Sequence, residues 1–468
     1  MPRTTFANDN LLDYLNTLAN RQGYTIGLIL GQSCAQKDFV IHLARTSPPS
    51  KKDVIEESVI SSALNNISQE SVDNTCIKSI KDIPGNWVVD HARHVTRMLS
   101  GGMWILGIFT VGPEDIFNSS VSVEKLKFIL TSVDKNLISN QYLYGNHNQE
   151  NLILHYNSVT KKYICKSVDT KNNVGIVKPV DWKFQTNTKW HYLETRIDFN
   201  RLFPIARFKT PVSLKKQFQD ILNETSNMIN SSVILIEGKI PSSDTTIETI
   251  VEQLTEEKKK GCCDNKENNS EASFEILQVS LYFPCERTLE KQANSIECGA
   301  SMRLVGQLVS RTFVHQKATI EEANNAVKQD ILRSLASRLE MHLDSLIEEE
   351  DGSPEETIIV HEPPRRVFIK LPRNVTLSDY LFPGEGTEEV LSSLLELLDI
   401  KVPDDFIQKD LELQFDHSEF YCHYQDTKTS DIINNQKHIT GKRNIFIFIT
   451  GLSFALIILI VAIIFNQI

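Results

Sequence analysis

A chain of 468 residues, 41% of them hydrophobic, is long enough to bury a sizeable core and predicts two or three domains. Its formal charge of -11 is spread along the chain, and the one basic knot, Lys258-Lys259-Lys260, sits beside acidic residues; this excludes a nucleic-acid surface, which needs clustered lysine and arginine. The cysteines at 34, 76, 165, 262, 263, 285, 298 and 422 are scattered, without a Cys-x-x-Cys pair or zinc spacing, and read as free thiols.

The amino terminus lacks a basic-then-apolar signal peptide, and Leu11, Leu12, Tyr14, Leu15 and Leu18 predict an amphipathic helix. Two apolar runs, 24–31 and 38–43, flank a polar turn and predict a buried β-hairpin. Residues 46–80 turn polar, with Pro48-Pro49 at their head, and predict an insertion. Val88, Ala92, Val95 and Leu99 then share one face of a helix that Ser100-Gly101-Gly102 ends, and 103–110 reads as a central strand. A helix over 121–137, a hairpin of 152–156 with 163–168, and a strand over 190–203 complete a first domain, 1–205.

The second half repeats the mixture, which places the chain in the mixed α/β (α+β) class. A helix over 212–228 and a strand over 232–237 lead to a polar loop, 241–272, and then to strands at 274–283 and 303–314. The longest helix starts at Thr319, whose hydroxyl caps the end while Glu322 reaches back. Ala323, Val327, Ile331, Leu335, Leu339, Leu343 and Ile347 step by four along it and predict a buried stripe over the preceding strands. A strand at 366–371 and a helix at 388–398 close a second domain, 206–400, and the polar stretch 401–444 reads as a flexible tether.

From Ile445 to Phe465 no residue is charged, and twenty-one residues at a helical rise cover about 31 Å, the depth of a bilayer's hydrocarbon core. This predicts a single transmembrane helix. Lys442 and Arg443 directly precede it and only three residues follow, so the positive flank puts everything before it in the cytosol, as in a tail-anchored protein; sequons such as those at Asn66 and Asn374 are then bare.

Candidate chemistry is sparse. His91 and His94 lie three apart on the predicted helix, but the metalloprotease pattern needs spacing four and a glutamate, so capping or solvated histidines are the preferred reading and no metal site is expected. Cys34 follows a strand, a place suited to a nucleophile, yet it needs a neighbouring histidine; an inert thiol is the simpler reading. Cys262-Cys263 beside the lysines form a candidate for lipidation. No nucleophile elbow, phosphate loop or dinucleotide fingerprint is present, and no cofactor is expected.

Five ordered segments carry a resemblance: GLILGQSCAQKDFVI (27–41), HARHVTRMLSGGMWILGIF (91–109), KPVDWKFQ (178–185), AVKQDILRSLASRLEM (326–341) and RVFIKLPRNVTLSDYLF (366–382). Together they resemble the odorant-response-abnormal-four family, the odr-four homologues, over nearly the whole chain. The resemblance implies an N-terminal domain similar to the MPN (JAMM-type) fold. Active JAMM enzymes carry His-x-His just after the strand at 103–110; Val111-Gly-Pro-Glu-Asp stands there, and His-x-His occurs nowhere, so the implied domain is a pseudo-enzyme. The implied role is a non-enzymatic accessory protein of the endoplasmic-reticulum membrane that assists folding or delivery of some G-protein-coupled receptors, odorant receptors among them. The implied partners are those receptors, the ubiquitin-fold-modifier-specific protease, which it holds at that membrane, and the lipid bilayer. The competing expectation is a membrane-anchored hydrolase using Cys34.

Overall fold

The computed structural model describes residues 3–34, 37–47, 77–143, 150–170, 177–185, 188–206, 213–261, 276–284, 298–348, 358–371 and 375–413. All lie in one compact unit, Met1–Leu413. Among the described residues are seven α-helices and fifteen strands in three sheets, a mixed α/β arrangement.

The first sheet is a closed barrel. Its elements in chain order are β1 (Thr4–Asn8), α1 (Asn10–Ala19), β2 (Thr25–Cys34), β3 (Lys37–Arg45), α2 (Gly85–Met98), β4 (Trp104–Gly112), α3 (Ser120–Ser139), β5 (Glu150–Asn157), β6 (Tyr163–Asp169) and β7 (Val177–Gln185). The strand order is β1-β3-β2-β4-β5-β6-β7, and β1 closes the ring by pairing parallel to β7 as well as β3, which removes the free edges. The uninterrupted apolar run of β2 follows from burial on both faces. Ile29 points to the core that Leu11, Leu15 and Leu18 of α1 share with Phe109, Leu152 and Leu154. Leu28 and Leu30 point the other way, to the core built from Val88, Ala92 and Val95 of α2 and Leu126, Ile129 and Val133 of α3.

The second sheet is built on two long strands, β8 (Trp190–Ala206) and β11 (Cys298–His315), which pair antiparallel from Trp190 opposite His315 to Ala206 opposite Cys298. Between them in the chain come α4 (Leu214–Ser231), β9 (Val233–Ile236), α5 (Ile247–Gly261) and β10 (Ile276–Tyr282); α6 (Ile320–Glu348) and β12 (Ile358–His361) follow, and the order is β12-β11-β8-β10-β9. The stripe of α6 is core as expected: Ala323, Val327, Ile331, Leu335 and Leu339 are buried with Phe218 and Leu222 of α4 and Leu304 and Leu308 of β11. The capping box forms, with the Glu322 amide donating to Thr319 Oγ1 at 3.1 Å and the Thr319 amide to Glu322 Oε2 at 2.9 Å. The expected loop 241–272 instead contains α5, because Ile247, Ile250, Val251 and Leu254 recur at helical spacing and pack on the same core.

The third sheet comprises β13 (Arg365–Lys370), β14 (Thr376–Leu381) and, after α7 (Thr387–Leu398), the short β15 (Ile407–Gln408), in the order β14-β13-β15. Val367, Leu377, Val390 and Leu394 from this region enter the same core as Leu28 and Val88, so residues of both sequence halves share it. Within the stretch read as a tether from 401, residues 404–408 carry a short 3-10 turn and β15.

The expected placement, a single pass through the endoplasmic-reticulum membrane with the preceding chain in the cytosol, is corrected: among the described residues no helix is long and apolar enough to cross a membrane. α6 has the length, but Glu321, Lys328, Asp330, Arg333, Arg338, Glu340 and Asp344 charge it throughout. The expected span Ile445 to Phe465, its flanking Lys442 and Arg443, and the cysteine pair Cys262-Cys263 lie outside the described residues.

Candidate functional site

Cys34 is the last residue of β2 and lines a cleft of about 410 Å³ between the end of β2, the start of β4 and the first turns of α6. Its thiol is pushed up to about 11 by burial, and then by the carboxylates of Glu322 and Asp38. The two charged groups that shift it are both negative, the reverse of the electropositive effect that stabilises a thiolate. Among the described residues, the groups shifting it include no histidine of the kind a nucleophile needs.

His91 is engaged elsewhere. Its Nδ1 meets Thr46 Oγ1 at 2.9 Å and its Nε2 meets the Leu397 carbonyl at 2.7 Å. A carbonyl only accepts, so Nε2 carries the proton and Nδ1 accepts from the threonine hydroxyl. His42 Nε2 makes the matching bond to the Leu398 carbonyl at 2.8 Å. Two imidazoles thus cap the carboxyl end of α7, where the last carbonyls lack helical partners. The cap continues at Asp399, in the left-handed conformation at φ 56°, whose carboxylate accepts from the Tyr14 hydroxyl at 3.1 Å and Arg45 Nε at 3.2 Å. With both ring nitrogens of His91 occupied, His91 and His94 do not form a ligand pair. Among the described residues no three His, Cys, Asp or Glu side chains gather as a metal would require.

In the stretch Val111-Gly-Pro-Glu-Asp the carboxylates have structural work. Glu114 Oε2 accepts from the Tyr24 hydroxyl at 3.2 Å, and Asp115 Oδ1 caps a 3-10 turn through the Phe117 amide at 3.1 Å.

The densest chemistry lies behind α6, at residues that sequence reasoning passed over. Asp330, fully buried, accepts from Arg366 Nη1 at 2.8 Å, Arg366 Nη2 at 3.1 Å and Ser310 Oγ at 2.7 Å. Arg333, also fully buried, donates to the carbonyls of Leu99, Ser100 and Met103 and stacks on Trp104. Its charge therefore meets the negative end of α2. One turn and a half further on, Arg338 grips Glu412 with two bonds of 2.7 and 2.6 Å, and the same carboxylate accepts the amides of Val309 and Arg366. A charge seam thus joins α2, β11, α6, β13 and the segment after β15. The available sequence signal was the interruption of the apolar face of α6 by Asp330, Arg333 and Arg338, which a periodicity argument assigns to solvent.

Residues 27–409 match the ODR4-like family, described as Odorant response abnormal 4-like. Protein odr-4 homolog of Homo sapiens is 29% identical over 417 residues, covering 85% of this chain and 84% of the human protein. The Drosophila melanogaster protein of that name is 22% identical and covers 85% of each chain. Odorant response abnormal protein 4 of Caenorhabditis elegans is 24% identical over 384 residues, covering 80% of this chain and 72% of that protein. Among solved structures, the crystal structure of UfSP from C. elegans is similar at 8% identity and a TM-score of 0.42, covering 85% of this chain and 57% of that chain.

Proposed function

Since this chain belongs to the ODR4-like family, we propose that it is a non-enzymatic adaptor that assists folding or delivery of a subset of G-protein-coupled receptors, odorant receptors among them, and binds the ubiquitin-fold-modifier-specific protease. The reading rests chiefly on the family match across 27–409, to relatives named for the odorant response. The surroundings of Cys34 support the non-enzymatic part. A hydrolase needs a thiolate, and Cys34 keeps its proton in a partly buried, negatively flanked position. His91, the candidate histidine of α2, is fixed between Thr46 and α7. The N-terminal barrel then acts as an MPN-like pseudo-enzyme, a binding surface whose former catalytic positions hold the fold.

The test uses the full-length protein. In cells lacking it, surface delivery of a panel of odorant receptors is measured after re-expression of the wild type or Cys34→Ala, and the purified protein is titrated with the modifier protease. Equal rescue by both forms together with saturable protease binding is expected. Failure of Cys34→Ala at normal abundance would restore the hydrolase, and absence of both receptor rescue and protease binding would remove the adaptor.

A further inference from the structure

β2 outruns its neighbour β4. Its pairing with β4 ends at Gly31 opposite Trp104, whereas its pairing with β3 continues to Cys34 opposite Lys37. Over Gln32, Ser33 and Cys34 the β4 side of the ladder has no strand neighbour among the described residues. The chain fills the first place there with a side chain. Gln32 Nε2 donates to the Gly102 carbonyl at 2.8 Å and the Phe313 carbonyl at 2.9 Å, while its Oε1 accepts the His315 amide at 2.8 Å. A carboxamide is a peptide group carried on a side chain. Gln32 therefore occupies the gap between β2 and β11 as a short piece of strand would.

The cleft beside Cys34 begins where that amide stops. Ser33 and Cys34 form one wall; Asn325, Ala326 and Gln329, neighbours on one face of α6, form the other, and Trp104 lies between. The charged groups at its rim are committed: Glu322 accepts the Thr319 amide, and Lys328 Nζ donates to the carbonyls of Asn230 and Ser232, each at 2.8 Å. Its lining includes the Cys34 thiol and the carboxamides of Asn325 and Gln329, the last donating to the Tyr142 carbonyl at 2.9 Å, and Ser33 Oγ behind it is buried with no hydrogen-bond partner among the described residues. Such a lining does not suit a phosphate or carboxylate ligand. It matches the alternating donors and acceptors of peptide backbone, held between a strand edge and a helix as in recognition by strand addition.

We propose that this cleft takes an extended, uncharged peptide segment of a partner protein, laid beside β2 at Ser33 and Cys34 with α6 as the opposite wall. The side chains admitted are small, because Ala326 and Trp104 limit the depth. This assignment does not depend on the receptor reading, since it follows from the strand edge and the lining alone.

The full-length protein is panned against displayed heptapeptides built only from Ala, Ser, Thr, Val and Asn, and enriched sequences are titrated as synthetic peptides. Bound peptide is expected to slow alkylation of Cys34 and amide exchange at the one of Ser33 and Cys34 whose amide points away from β3. Affinity is expected to fall by about tenfold or more in Ala326→Trp, which fills the cleft. Because residue 326 also touches the core, Asn325→Trp on the exposed side of the same wall is the second variant, and melting temperatures identify which variants are folded. The proposal is overturned by a lack of enriched sequences, by protection confined to other parts of the chain, or by unchanged binding in every folded variant.

Discussion

In the barrel, α1 lays Leu11, Leu15 and Leu18 against Phe109, Leu152 and Leu154, and chain segments as far apart as β1 and β7 meet through apolar contact and ladder hydrogen bonds. Behind α6, segments 36 and 74 residues apart in sequence meet through ions: Asp330 with Arg366, and Glu412 with Arg338. The two regions have opposite failure modes. An apolar core loses stability in proportion to the volume removed, whereas a buried ion whose partner is deleted stays behind uncompensated. Adding ions to a junction is a poor way to gain stability, so its value lies in fixing which segments meet.

Asp330→Ala should be the most damaging single change, costing about 3–5 kcal/mol because it strands Arg366 and weakens the hold on Arg333. Urea unfolding should place it at or beyond Leu154→Ala in the barrel, for which about 2–5 kcal/mol is expected; a midpoint close to wild type would remove the distinction between the regions. Glu412→Ala should follow closely, since Arg338 and two backbone amides lose their acceptor together. Chains ending before residue 404 should show the same loss, read as a lower unfolding midpoint, whereas a simple tether predicts no change.

Acid should act on the histidine caps next. Burial lowers the values of His42 and His91 below the usual 6.5, so the folded protein binds fewer protons than the unfolded chain in mildly acid solution. Their contribution is complete above the unfolded value and is lost as pH falls below it. Asp379, raised to about 6 by burial, works with the opposite sign between that value and its usual 3.8. The melting temperature should therefore drop between about pH 7.5 and about pH 6, a window above the titration of Asp379. In His42→Gln with His91→Gln that drop should shrink, while amide exchange across the end of α7 speeds up; an unchanged pH dependence would exclude the caps as its source. The smallest effect is expected at Cys34→Ala, within about 1 kcal/mol by the same unfolding assay, since the thiol has no polar role in holding the fold.

The same contrast explains what could be read in advance. The continuous run of β2, the stripe on α6 and the capping box at Thr319 follow local rules of period and hydrogen bonding, and the structure keeps all three. α5 went unread because its four apolar residues are embedded in a charged composition, and β15 because two residues carry no period. His91 was legible as a capping residue in kind, but its helix lies some 300 positions away in the chain. Asp330, Arg333 and Glu412 were illegible for a deeper reason. A charged residue in a helix face or polar stretch is assigned to water unless its counter-ion is known, and that counter-ion comes only with tertiary structure.

An adaptor needs its binding surface but no reacting group. The most direct measurement is odorant-receptor surface delivery in cells lacking this protein, after re-expression of wild type, Cys34→Ala or Asp330→Ala at matched transcript levels. The account predicts rescue by Cys34→Ala equal to wild type and loss with Asp330→Ala in step with its lower abundance. Loss of delivery with abundant, folded Cys34→Ala would contradict it.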